Sequence, residues 1–172
     1  MIAAPGASLR LDGDGAVSHV IDGGTFSGGG ELRTLRDSLV TVSEAGLVIP
    51  SDSRFQVAGT IDGAGPLTVN GHLNWVGGTV EGAGSFSINS TSQWGGFLRL
   101  EGRSIIIADP ASVVFYDGNL DMTDASIVNN GSFDIRGNVG IRDFAGEGSS
   151  FDNPGTVTKN GNGETEGAAN IE

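Results

Sequence analysis

A repeat constrains this chain more than any other feature. Gly59-Thr60-Ile61-Asp62-Gly63-Ala64-Gly65-Pro66-Leu67-Thr68-Val69-Asn70 aligns without gaps on Gly78-Thr79-Val80-Glu81-Gly82-Ala83-Gly84-Ser85-Phe86-Ser87-Ile88-Asn89, a shift of 79 − 60 = 19 residues. Every difference keeps apolar on apolar or exchanges one polar or turn residue for another. A third copy, Gly24-Thr25-Phe26-Ser27-Gly28-Gly29-Gly30-Glu31-Leu32, lies 60 − 25 = 35 residues earlier, which reads as two short turns. A second unit follows, in which Ile127-Val128-Asn129-Asn130-Gly131-Ser132-Phe133 aligns on Phe151-Asp152-Asn153-Pro154-Gly155-Thr156-Val157 at a shift of 151 − 127 = 24. Periods of this length mark repeat architectures whose units bury their apolar faces on one another.

Within the units, apolar residues recur every second position: Leu67/Val69, Leu73/Trp75, Phe86/Ile88, Ile105/Ile107, Val113/Phe115, Leu120/Met122, Phe133/Ile135 and Val139/Ile141. Spacing by two places both members of a pair on one strand face. Composition agrees, since 30 of the 172 residues are Gly and only 17% are charged. That suits short strands joined by tight turns better than helices. A sandwich or barrel is disfavoured because the strands are too short and too close for regular hairpins, and the same roles return in the same order after each period. The expected fold is all-β, a single-stranded parallel β-solenoid of about 7–9 turns stacked at ~4.8 Å. One domain is expected over 1–172, with irregular turns over 1–58, regular repeats over 59–159 and a polar tail or a further turn over 160–172.

The repeated residues have physical jobs in such a coil. Gly63, Gly65, Gly82 and Gly84 allow a sharp corner, including positive φ that a Cβ disfavours, and Gly131 and Gly155 recur at a second corner. Asn129 and Asn153 fall at matching points before that corner, where side-chain amides can bond the backbone or stack in a ladder. Thr60 with Thr79 and Ser132 with Thr156 would form hydroxyl rows.

The run Trp75 to Phe86, then Leu100-Glu101-Gly102-Arg103-Ser104-Ile105, Asp117-Gly118-Asn119-Leu120, Ile127 to Ile135 and Phe151 to Lys159 resembles the β-strand repeats of very large bacterial secreted and cell-surface proteins. The match is best over residues 73–161 and reaches 1–58 only through the Gly24 to Leu32 copy. Such arrays are similar in style to autotransporter passengers and filamentous adhesins. The resemblance implies a right-handed β-helix, display outside the cell, and a structural or adhesive role as a spacer or display rod. It carries no catalytic residue and no cofactor. An export signal is expected outside this chain, because Met1 to Gly6 lacks the basic and apolar regions of one.

The remaining residues set out the alternatives. A formal charge of −12 repels phosphate backbones and anionic lipid surfaces, so nucleic acid is not expected as a partner, and no stretch approaches the apolar length needed to cross a bilayer, so membrane insertion is not expected either. Arg33 with Arg36 and Arg99 with Arg103 read as solvated surface residues. There is no cysteine for disulfides or thiolate metal sites, and His19 and His72 stand far apart without ligand partners. No metal is expected as a requirement. Asp12-Gly13-Asp14-Gly15 offers Asp12 and Asp14 as calcium candidates, although the twelfth position of an EF-hand loop is Gly23 here instead of Glu. Asp117, Asp121 and Asp124 with Arg99 and Arg103 are the nearest approach to the carboxylate cluster of a β-helix polysaccharide lyase or hydrolase; turn and surface roles explain them equally well, and no catalytic residue is assigned. A carbohydrate-binding flank is the main alternative, with Trp94 and Tyr116, and also Trp75, as stacking candidates if the strand register is displaced by one. Partners expected of the rod are neighbouring repeats of a longer chain, other copies added end to end, or a surface glycan.

Overall fold

The structure is a computed structural model and describes residues 5–13, 18–144 and 148–160. Those residues form a parallel β-solenoid with no helix, three strands to a turn and about seven turns. The first sheet stacks Ser8–Leu11, Glu31–Thr34, Arg54–Val57, His72–Trp75, Thr91–Trp94, Ser112–Phe115, Ser132–Arg136 and Thr156–Asn160 in that order. The second stacks Ser18–Ile21, Leu39–Val42, Thr60–Asp62, Gly78–Glu81, Phe97–Glu101, Gly118–Thr123 and Val139–Asp143. The third stacks Gly24–Thr25, Leu47–Ile49, Leu67–Val69, Ser85–Ile88, Ser104–Ile107, Ser126–Asn129 and Ser150–Asp152. All pairings are parallel, because each turn passes in the same direction over the one before.

The two sequence shifts are the registers of the stack. Leu67 pairs with Phe86 and Val69 with Ile88, 19 residues on, and Ile127 pairs with Phe151 and Phe133 with Val157, 24 residues on. The 35-residue alignment is corrected. Gly24–Thr25 lies in the third sheet and stacks beneath Leu47–Val48 and then Leu67–Thr68, whereas Thr60 lies in the second sheet. A displacement of 35 is not a whole number of turns. It carries one Gly-rich corner, residues 26–30, onto a different one, residues 63–66. The strands of residues 8–58 occupy the same three sheets as the later ones.

Strand after strand alternates inward apolar and outward polar residues, as in Arg54–Val57, Ser85–Ile88 and Ser132–Arg136. The inward residues form columns along the axis: Leu47, Leu67, Phe86, Ile105 and Ile127 in the third sheet, and Phe55, Leu73, Ser92, Val113 and Phe133 in the first. These columns form one continuous hydrophobic core. Trp94 sits at its middle, edge-on to Trp75 (5.2 Å between centroids), Phe115 (6.2 Å) and Phe133 (5.5 Å).

At the corner between the second and third sheets, glycine serves two purposes. Gly63 and Gly82 have φ of 119° and 93°, which an L side chain rarely adopts. Gly65 and Gly84 have no positive φ; there a Cβ would overlap the carbonyl of Ser43 or of Gly65 in the turn below. Gly131 and Gly155, at the corner between the third and first sheets, make the same close approach to the Ala111 and Gly131 carbonyls. Beside them Asn129 Nδ2 donates to Asn153 Oδ1 (2.6 Å) and to the Thr156 carbonyl (3.1 Å).

The bare corner between the second and third sheets also takes in a charge. Arg103 is not a surface residue as the sequence suggests; it is 1% exposed. Its Nε donates to the Glu81 carbonyl (3.0 Å) and its Nη2 to the Gly63 carbonyl (2.5 Å), one and two turns below. Burial lowers its pKa, and the nearby Asp62 carboxylate opposes that by favouring the cation.

Candidate functional site

Because the interior is packed with side chains, a ligand would have to meet the outward faces of the strands or the corners. Strand Phe97–Glu101 shows what the second sheet offers: Leu98 and Leu100 point inward, while Phe97, Arg99 and Glu101 face out. Phe97 is 77% exposed, the most exposed large apolar side chain among the described residues. Arg142 pairs with Asp121 through Nη2 (2.6 Å), and the Arg99 guanidinium lies 5.7 Å from the centre of the Phe144 ring.

On the same face Asp62, Glu81 and Glu101 follow one another on successive turns, one strand spacing apart. Burial, then Asp62, then Glu101 raises the pKa of Glu81. A raised folded-state pKa means that this group's contribution to stability is fully present below the unfolded pKa and is lost as pH rises through the folded value. Glu81→Gln is therefore expected to stabilise the protein near neutral pH by a few tenths of a kcal/mol, the usual scale of like charges opposed across strands. The gain should vanish below about pH 4, where both forms of the protein carry a neutral side chain. Thermal melts of both proteins across that range check it; a constant difference would assign the effect to packing instead of charge.

The corner between the first and second sheets holds a concavity. In one turn the corner is four residues long, Leu35-Arg36-Asp37-Ser38, and in the next three it shrinks to Ala58-Gly59, Val76-Gly77 and Gly95-Gly96. The short corners recede, leaving an open groove of about 590 Å³ that runs along the axis from Arg36 and Asp37 at one end to Phe97 at the other. Its floor is held from within. The buried Trp75 indole donates through Nε1 to the Gly77 carbonyl (3.0 Å), and Thr34 Oγ1 accepts from the amides of Ala58 (3.2 Å) and Gly59 (3.4 Å). The wall is a turn closed by the Ser38 amide on the Leu35 carbonyl (3.1 Å), with the Ser38 hydroxyl on the same oxygen (2.7 Å). That turn holds Asp37 at φ 67°, an unusual conformation for a residue with a Cβ. Among the described residues the side chains of Arg36 and Asp37 make no ion pair or hydrogen bond.

The residues singled out in the sequence are placed as follows. Asp12 accepts from the Gly13 amide at its own carboxylate (3.0 Å), and its carbonyl contacts His19 Nε2 (2.7 Å); Asp14 lies outside the described residues. No three His, Cys, Asp or Glu side chains gather where they could hold a metal ion, among the described residues. The carboxylate set is not brought together. Asp117 lies at the corner between the first and second sheets, Asp121 on the outer face pairing with Arg142, Asp124 at the next corner, and Arg103 inside the rod. Trp94 and Trp75 are both 0% exposed, so neither ring can stack on a sugar. The one-residue displacement that would expose them fails because Ser92, on the same side of the strand as Trp94, accepts the Trp94 indole hydrogen bond inside the core (2.7 Å). Tyr116 is 45% exposed, and its ring covers Gly95 so closely that a Cβ there would overlap it. The groove beside it is not legible in any motif. Its signal is the parity of Phe97 with Arg99 and Glu101, which puts an aromatic ring on a polar face.

No family model, no curated protein and no solved structure matches this chain.

Proposed function

We propose that the chain is a structural segment of a bacterial surface or secreted protein, a stiff rod that spaces and displays, with an acidic flank turned to its surroundings. The observation that supports this reading is the unbroken ladder. Each turn bonds to the next through three parallel strands, and the same apolar columns run from end to end. Eight stacked strands span on the order of 35 Å. A solenoid built this way resists bending because every strand is paired on both sides except at its ends.

Among the described residues the outermost strands, such as Ser8–Leu11 and Thr156–Asn160, pair on one side only. Unpaired parallel edges accept further strands, from neighbouring repeats of a longer chain or from another copy. Small-angle scattering across a concentration series tests both parts. The expected result is a constant cross-section with a length that grows in steps of one rod. A strict monomer at high concentration would remove the end-to-end association, and a compact particle would remove the rod.

A further inference from the structure

We propose that the groove between Arg36 and Phe97 is a binding site for a neutral oligosaccharide. Its volume of about 590 Å³ falls in the ordinary range of small-ligand sites. Its chemistry is mixed in the way a sugar requires. A pyranose presents a face of C–H groups and an edge of hydroxyls. Phe97, 77% exposed at one end, offers an apolar face to one sugar of a chain; Arg36 and Asp37 at the other end, about three strand spacings away, offer donors and an acceptor to the hydroxyls of another.

Three further observations favour this occupant. The groove runs along the rod axis over several turns, so it suits a linear ligand more than a compact one. Its floor is preformed, because Trp75 and Thr34 fix the Gly77 and Gly59 corners from inside, so the ordering cost on binding is confined to side chains such as Arg36 and Phe97. Among the described residues its charged lining is one cation and one anion side by side, in a chain of net charge −12. Charged ligands of either sign gain little from such a pair, and polyanions are repelled at long range. A hydroxyl-rich neutral chain meets neither difficulty.

The experiment is a titration of the ¹⁵N-labelled protein with cellotetraose, chitotetraose and a mannose tetramer at millimolar concentration, followed by NMR. The Trp75 indole and Gly77 amide report the floor directly. At least one tetramer is expected to shift both signals. Phe97→Ala should weaken that binding about tenfold or more, and Arg36→Ala should weaken it as well. Phe144→Ala, which removes an exposed ring outside the groove, should leave it unchanged. Phe97 is a surface residue, so its variant should keep the strand-dominated circular dichroism spectrum of the parent. Shifts that persist undiminished in Phe97→Ala, or no shift with any of the tetramers, would overturn the site. Tighter binding of a galacturonate tetramer than of every neutral one would overturn its assignment to neutral sugars.

Discussion

Trp94→Ala is expected to lower the unfolding free energy by about 3–5 kcal/mol, the usual cost of removing a fully buried large aromatic ring. Three edge-on aromatic contacts are lost together, to Trp75, Phe115 and Phe133. Each is worth roughly 0.5–1.5 kcal/mol beyond the area it buries. The substitution also strands Ser92, 1% exposed, whose hydroxyl accepts the Trp94 indole N–H. A buried hydroxyl without its partner adds about 1–3 kcal/mol, offset in part if the cavity admits water. Trp94→Phe keeps much of the volume and loses only that hydrogen bond and the second ring, so its cost should be markedly smaller. Because the Trp94 ring reaches only from the turn of Trp75 to the turn of Phe133, the damage should be local. Hydrogen exchange is expected to accelerate in the strands His72–Trp75, Thr91–Trp94, Ser112–Phe115 and Ser132–Arg136 and to change little near Leu32. Urea unfolding followed by circular dichroism gives the total. A loss below about 1 kcal/mol would contradict a ring buried at the centre of the core.

How much of this could be read from the sequence depends on what a residue's neighbours in space require. Phe86/Ile88 and Ile105/Ile107 announce an inward strand face because spacing by two has only one meaning on a strand, and the structure stacks them in the third sheet. Registers of 19 and 24 residues were equally legible, since stacked turns place like residues on like. The Gly24 copy was not, because Gly-rich corners occur on more than one side of the coil and local composition does not say which corner is which. Trp94 was ambiguous for a related reason. Ser92 and Trp94 share a face with each other and alternate with Gln93, so polarity alone does not show which side is inside; the Ser92 to Trp94 hydrogen bond decides it. The groove depends on the unequal lengths of the Leu35–Ser38 and Val76–Gly77 corners, and that difference appears only when the turns are superposed.

Arg103 was hidden by its own chemistry, since arginine is almost never fully buried without partners. Its partners are backbone carbonyls, which no side-chain pattern advertises. Arg103→Ala is expected to cost roughly 3–6 kcal/mol, the scale of two hydrogen bonds from a charged donor at about 1.5–3 kcal/mol each. The carbonyls of Glu81 and Gly63 lose those donors at a corner where Gly63, Gly65, Gly82 and Gly84 have no side chains to replace them. Arg103→Lys should recover only part of the loss, because a single ammonium replaces a planar fork that reaches two turns at once. Arg103→Met separates packing from hydrogen bonding: it fills most of the space, removes the cost of burying a charge, and leaves both carbonyls without the guanidinium. If the hydrogen bonds dominate, Met should behave much like Ala in a urea titration, and exchange at the Gly65 and Gly84 amides should quicken in both. If Met is as stable as the parent, the desolvation of the guanidinium cancels what its hydrogen bonds supply. The residue would then fix which turn lies on which at this corner while adding no net stability.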